Sequence, residues 1–219
     1  MATPSATPGD CAITFEDVHP SDWFYQYVQY MYCHNVIAGY NTDPPCSDPG
    51  ATCFKPYNTA SRGQLAKIVV RAFALPINTQ GGPHFRDVPP GSAFYDYVET
   101  GYNLGLWGGY ANGKFGPFSL VTRAQITKII VNTAILVDPA HWTLENPSTN
   151  TFQDVHVGST FFRYVETAAS HGVISGYACG SAAWLPCVPP QNKPYFVPYA
   201  NPTRAQISKI TYLTINYGH

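Results

Sequence analysis

Charge is what this sequence has least of. Lys, Arg, Asp and Glu make up 11% of the chain and sum to a net charge of −1, against about 25% charged residues in ordinary globular proteins. That balance excludes the basic footprint of a nucleic-acid binder. No apolar run reaches the roughly 18 residues that suggest a membrane-spanning helix, so no membrane insertion is expected. The opening "MATPSATPGD" lacks the basic stretch and apolar core of a secretion signal. It reads as a Pro/Ser/Thr linker over residues 1–12, of the kind that joins a fragment to a longer exported protein. Signatures of catalysis are also missing: there is no G-x-S-x-G elbow, P-loop or dinucleotide fingerprint. The seven His residues show neither HxxxH nor HExxH spacing, so neither metal nor cofactor is expected.

What is present is apolar and aromatic. A hydrophobic fraction of 45% supports real cores, and a surface rich in Thr, Asn, Ser, Gln and Tyr suits an extracellular setting. Two of the cysteine pairs are local, Cys46 with Cys53 and Cys179 with Cys187, and both lie in Pro/Gly-rich sequence. Neither has the CxxC spacing of a zinc or redox site, so both read as loop-closing disulfides in an oxidising compartment. Cys11 and Cys33 remain, and whether they pair is open.

One frame occurs three times. "FEDVHPSDWFYQYVQYMYCHNVIAGY" begins at Phe15, "FRDVPPGSAFYDYVETGYNLGLWGGY" at Phe85 and "FQDVHVGSTFFRYVETAASHGVISGY" at Phe152. Each copy closes on Gly-Tyr, runs through a variable loop to F-x-P, and continues into "ASRGQLAKIV", "VTRAQITKII" or "PTRAQISKIT". The two long variable loops are the two that carry local cysteine pairs, and a disulfide offsets part of the entropy of a longer loop.

Each copy reads as helix, loop, helix. Phe24, Tyr27, Val28 and Met31 recur at helical spacing, with Gly39 expected to stop the run. Leu65, Ile68 and Val69 in the second helix correspond to Ile126, Ile129 and Ile130, and to Ile207 and Ile210. Such a narrow stripe cannot be buried by one copy alone. The expected fold is mainly α: three helical hairpins spanning residues 13–76, 83–137 and 150–217, packed as one pseudo-threefold domain.

The segments that open the second helices have two layers of meaning. Ser61, Thr122 and Thr203 stand three residues before Gln64, Gln125 and Gln206, the spacing of a capping box. That accounts for the hydroxyls and the amides but not for Arg62, Arg123 and Arg204. A cation in the first helical turn faces the positive end of the helix dipole. Two explanations are open: a bridge to Asp17, Asp87 and Asp154, which also suit the cap of the following helix, or contact with an approaching anion.

The frame F-x-D-V, aromatic, G-Y, F-x-P, [ST]-R-[AG]-Q resembles the S-layer homology domain, and the resemblance runs from Phe15 to about Tyr217. It implies a non-catalytic module that anchors a protein at the cell surface. Its partner would be an anionic secondary cell wall polysaccharide, often pyruvylated, held in grooves between copies. Carried over by position, Arg62, Arg123 and Arg204 would meet the acidic group. Trp23, Phe94 and Phe161 would pack on a sugar face, and Gly39, Gly109 and Gly176 would admit the ligand. The sequence departs from the family in having Gln where T-R-A-E is usual, Gly63 where Ala is usual, and Trp only in the first copy. A rival reading of the Tyr-rich, charge-poor surface is a subunit that assembles with itself into a surface layer, sheath or filament.

Overall fold

The computed structural model describes residues 11–41 and 51–218. The described residues form six helices and no strand longer than isolated backbone pairs. These are α1 (Tyr25–Cys33), α2 (Arg62–Ala72), α3 (Tyr95–Asn103), α4 (Arg123–Val137), α5 (Phe162–Ser170) and α6 (Arg204–Ile215).

The first helix of each copy is nine residues long and ends earlier than its sequence suggests. The residue that stops α1 is Asn35, in the left-handed conformation at φ 58°, and not Gly39. Gly105 and Gly172 play the same part after α3 and α5. At each of these turns a backbone N–H reaches back five positions: Val36 to Met31, Leu106 to Gly101 and Val173 to Ala168. These are Schellman closures, which satisfy carbonyls that the helix end leaves open.

The helices do not pair as hairpins within a copy. Instead α2 packs on α3, α4 on α5, and α6 returns to pack on α1. Each second helix therefore lies against the first helix of the next copy, and the last closes on the first. Helices α2, α4 and α6 also touch one another and form the centre. A helix touched on several sides must be apolar on several sides, and α4 buries Ala124, Ile126, Ile129, Ile130, Val131 and Ala134. The buried hydroxyls of Thr127, Thr133, Ser208 and Thr214 donate to the carbonyls four residues earlier, which makes them tolerable there.

Two disulfides lie among the described residues. Cys11–Cys33 ties the chain ahead of the first frame to the end of α1, and Cys179–Cys187 closes the loop of the third copy. Cys53 is also disulfide-bonded. Its expected partner Cys46 lies outside the described residues, as does the linker up to residue 10.

Candidate inter-copy grooves

Ser61, Thr122 and Thr203 each accept the backbone N–H of the Gln three residues on, and each Gln side chain accepts in return from the cap residue's N–H. Each arginine is the first residue of the helix so capped.

The first two backbone N–H groups of each of these helices are taken by another copy. Arg62 and Gly63 donate to Ser119 and Pro117, Arg123 and Ala124 to Ala200 and Pro198, and Arg204 and Ala205 to Asn58 and Pro56. The guanidinium groups follow the same route. Their Nε atoms donate to the carbonyls of Phe115, Phe196 and Phe54 at 2.8–2.9 Å. Their Nη2 atoms donate to Gly108, Ser175 and Ala38 at 3.0–3.2 Å. Arg204 adds a bond from Nη1 to the Tyr40 hydroxyl at 3.0 Å. Each group also lies 4.5–4.7 Å above the ring of the same phenylalanine.

Arg123 and Arg204 are only 6% and 7% exposed. Burial lowers the pKa of all three arginines from the ordinary value, partly opposed by the Tyr and Asp nearby. The negative partners at these helix starts are thus backbone carbonyls of the neighbouring copy.

The aspartates do something else. Asp17, Asp87 and Asp154 each accept two consecutive backbone N–H groups, from Phe54 and Lys55, Phe115 and Gly116, and Phe196 and Val197. They neither cap the following helix nor form an ion pair with arginine, since the ion pairs among the described residues all involve His. They fasten the F-x-P loop that presents its carbonyls to the next helix. Burial alone would raise the Asp87 carboxyl, but the N–H donors of Phe115 and Gly116 outweigh it and hold it below its usual value.

At Gly39, Gly109 and Gly176 the close approach is made by the chain itself. An added Cβ would stand 2.4–2.7 Å from the ring of Phe15, Phe85 or Phe152 and 2.7–3.0 Å from a carbonyl across the loop. Gly63 has a similar cause, because a Cβ there would meet the Phe94 ring at 2.5 Å.

The three inter-copy positions are not equally open. Arg204 lines a cavity of about 260 Å³ with Gly39, Tyr40, Gln64, Lys67 and Phe94. Arg123 lines one of about 120 Å³ with Trp23, Gly176, Tyr177, Gln206 and Lys209. Beside Arg62 a void of about 10 Å³ is lined by Leu65, Ala66, Trp107, Phe115 and Ile129, with Trp107 in the place held by Ile37 and Ile174 in the other copies. The indole Nε1 donates to the Val98 carbonyl at 3.0 Å. Its ring rests where a Gly101 side chain would be, at 1.9 Å from an added Cβ. Trp23 and Phe94 accordingly lie in grooves, whereas Phe161 lines a different cavity with Tyr199.

Lys67 and Lys209 were not singled out by the sequence reading, although the spacing R-x-Q-x-x-K recurs in all three copies and includes Lys128. Their ammonium groups lie over aromatic rings, Lys67 at 5.7 Å from Tyr97 and Lys209 at 5.9 Å from Trp23. Neither has a carboxylate partner among the described residues. The Gln amides serve twice. Gln64 and Gln206 also donate from Nε2 to the hydroxyls of Tyr40 and Tyr177 at 2.8 and 3.2 Å, which an ionised Glu could not do. Each open groove therefore combines a free ammonium, an edge of buried guanidinium, a fixed amide and aromatic rings. That set suits a small anion carried on a sugar. Among the described residues no cluster of three His, Cys, Asp or Glu side chains could hold a metal ion, and no helix is long and apolar enough to cross a membrane.

Two segments, residues 14–66 and 84–127, match the S-layer homology domain. They cover the first and second copies of the frame. An endoglucanase from Bacillus sp. (strain KSM-635) is 25% identical over 199 residues, which is 91% of this chain and 18% of that protein. A surface-layer 125 kDa protein from Lysinibacillus sphaericus is 28% identical over 124 residues, 56% of this chain and 10% of that protein. The chain thus spans less than a fifth of either relative. The S-layer homology segments contain Arg62, Trp107 and Arg123, so the arginine clamp and the Trp107 position both involve them.

Proposed function

We propose that the chain is a non-catalytic anchoring module that binds an anionic secondary cell wall polysaccharide, such as a pyruvylated one, in the Arg123 and Arg204 grooves. The observation that carries this reading is the pair of ammonium groups, Lys67 and Lys209, which line these two cavities and have no carboxylate partner among the described residues. The S-layer homology match and the surface-layer relative indicate a cell-surface, cell-wall-associated location. The relative named as an endoglucanase fits a module attached to varied cargo.

Within this reading the third copy, residues 150–217, is a further S-layer homology repeat, joined to those at 13–76 and 83–137 about an approximate threefold axis. The cyclic packing of α2 on α3, α4 on α5 and α6 on α1 supports that arrangement. Self-assembly is the second reading, favoured by the surface-layer relative and tested by whether the purified protein forms oligomers without glycan.

The binding test is co-sedimentation with cell-wall sacculi before and after removal of the secondary polymer. Binding should disappear with the polymer. Lys67→Ala and Lys209→Ala should each weaken it by roughly fivefold, about 1 kcal/mol for a partly exposed charged contact. Lys128→Ala, beside the closed groove, should leave it unchanged. Binding indifferent to the polymer and to both lysines would refute the proposal.

A further inference from the structure

In every copy an aromatic residue follows F-x-P: Tyr57, Phe118 and Tyr199. These are 68%, 82% and 77% exposed. Leaving one such side chain in water forgoes about 1.5–3 kcal/mol of burial, and the chain does so at one position three times over. The loops beneath are firmly held. Their backbone N–H groups are bound by Asp17, Asp87 and Asp154, and the carbonyls of Pro56, Pro117 and Pro198 accept from the helix start of another copy. The rings therefore stand on fixed corners. Two of them touch the protein only edgewise, Tyr57 against Phe24 at 5.7 Å and Phe118 against Phe94 at 6.1 Å between centroids.

At the third corner the ring borders a real cavity. Tyr199 lines a space of about 410 Å³ together with Asp154, His156, Ser159, Thr160 and Phe161. The Asp154 oxygens are taken by backbone N–H groups. The side chains of His156, Ser159 and Thr160 make no hydrogen bond to another described residue, so their donors and acceptors are available. No Lys or Arg lines this space, in contrast to the two grooves. An exposed aromatic platform beside free hydroxyls and an imidazole, with no cation, matches an uncharged pyranose. The sugar's C–H face lies on the ring and its hydroxyls meet the polar wall.

We propose that the Tyr199 corner is a second carbohydrate site, for neutral pyranose rings, separate from the cationic grooves, with Tyr57 and Phe118 as shallower platforms of the same kind. The probes are two uncharged oligosaccharides, the β-1,4-linked hexamers of N-acetylglucosamine and of glucose, titrated into the whole chain and followed by calorimetry and by NMR of the Tyr and Phe rings.

At least one hexamer should bind, and Tyr199→Ala should weaken it by roughly tenfold, the upper range for one aromatic contact. Tyr199→Phe should retain binding, and Lys67→Ala with Lys209→Ala should not affect it. That independence keeps this test apart from the groove proposal. Each substituted side chain is solvent-facing, so an unchanged melting temperature confirms folding. Absence of binding by both hexamers, or equal affinity in Tyr199→Ala, would overturn the proposal. So would a Tyr57/Phe118/Tyr199 triple alanine variant whose main effect is to abolish self-association, which would make these corners a protein interface.

Discussion

Arg204→Ala should lower the stability of the protein by about 3 kcal/mol, read as a shift in the midpoint of urea unfolding. The side chain is buried and its guanidinium donates to Phe54, Ala38 and Tyr40. Truncation leaves two backbone carbonyls without that donor and opens space beneath the Phe54 and Tyr40 rings, costs of about 1–3 kcal/mol for each group left unsatisfied. It also removes a buried cation, which returns part of the desolvation cost. Arg204→Lys should not rescue, because a single ammonium cannot reproduce the planar fork that reaches both carbonyls. Arg62→Ala should cost less, since that side chain is only partly buried and makes two such bonds. A loss below about 1 kcal/mol for Arg204→Ala would mean that the carbonyl clamp does not hold the copies together. The expected destabilisation would confound binding assays on arginine variants, which is why the lysines are the better probes of ligand contact.

Gly101→Ala should be nearly as damaging, by about 2–3 kcal/mol through overpacking. The added Cβ would stand 1.9 Å from the Trp107 ring, far inside contact distance, and the void beside the indole is only about 10 Å³. Trp107→Ile alone should also destabilise, by about 2–4 kcal/mol, because it leaves a cavity and removes the indole's hydrogen bond to the Val98 carbonyl. The double variant Gly101→Ala/Trp107→Ile restores the combination of a larger helix residue and Ile found in the other copies. It should therefore be more stable than the sum of the two single changes implies, the signature of residues in contact. Additive effects would show that the indole does not depend on Gly101. The double variant should also open the third groove.

Much of this was legible in the sequence because it is local chemistry. The capping boxes need only Ser or Thr and a Gln three residues on, and the misplaced charge of Arg62, Arg123 and Arg204 shows in the first helical turn. The partners were not legible. Arg204 donates to a carbonyl 150 positions away, and a backbone carbonyl leaves no mark on the identity of its residue. For the same reason Asp17, Asp87 and Asp154 suggested a cap or an ion pair when they in fact hold loop N–H groups. Helix pairing was misread because a hairpin within a copy and a pair between copies have the same apolar pattern. Gly39 was taken for a helix stop, but its role is to lie beneath the Phe15 ring. The closed groove was recoverable from the copies themselves. Where the first has Met31 and Ile37 and the third Ala168 and Ile174, the second has Gly101 and Trp107, an exchange of volume between two touching positions.

The most direct measurement is a calorimetric titration with a pyruvylated monosaccharide, counting sites on the whole chain. Two sites are expected, at the Arg123 and Arg204 grooves, with a third gained in Gly101→Ala/Trp107→Ile. Three sites in the unmodified protein would contradict the closure by Trp107, and none would contradict the binding of an acidic sugar altogether.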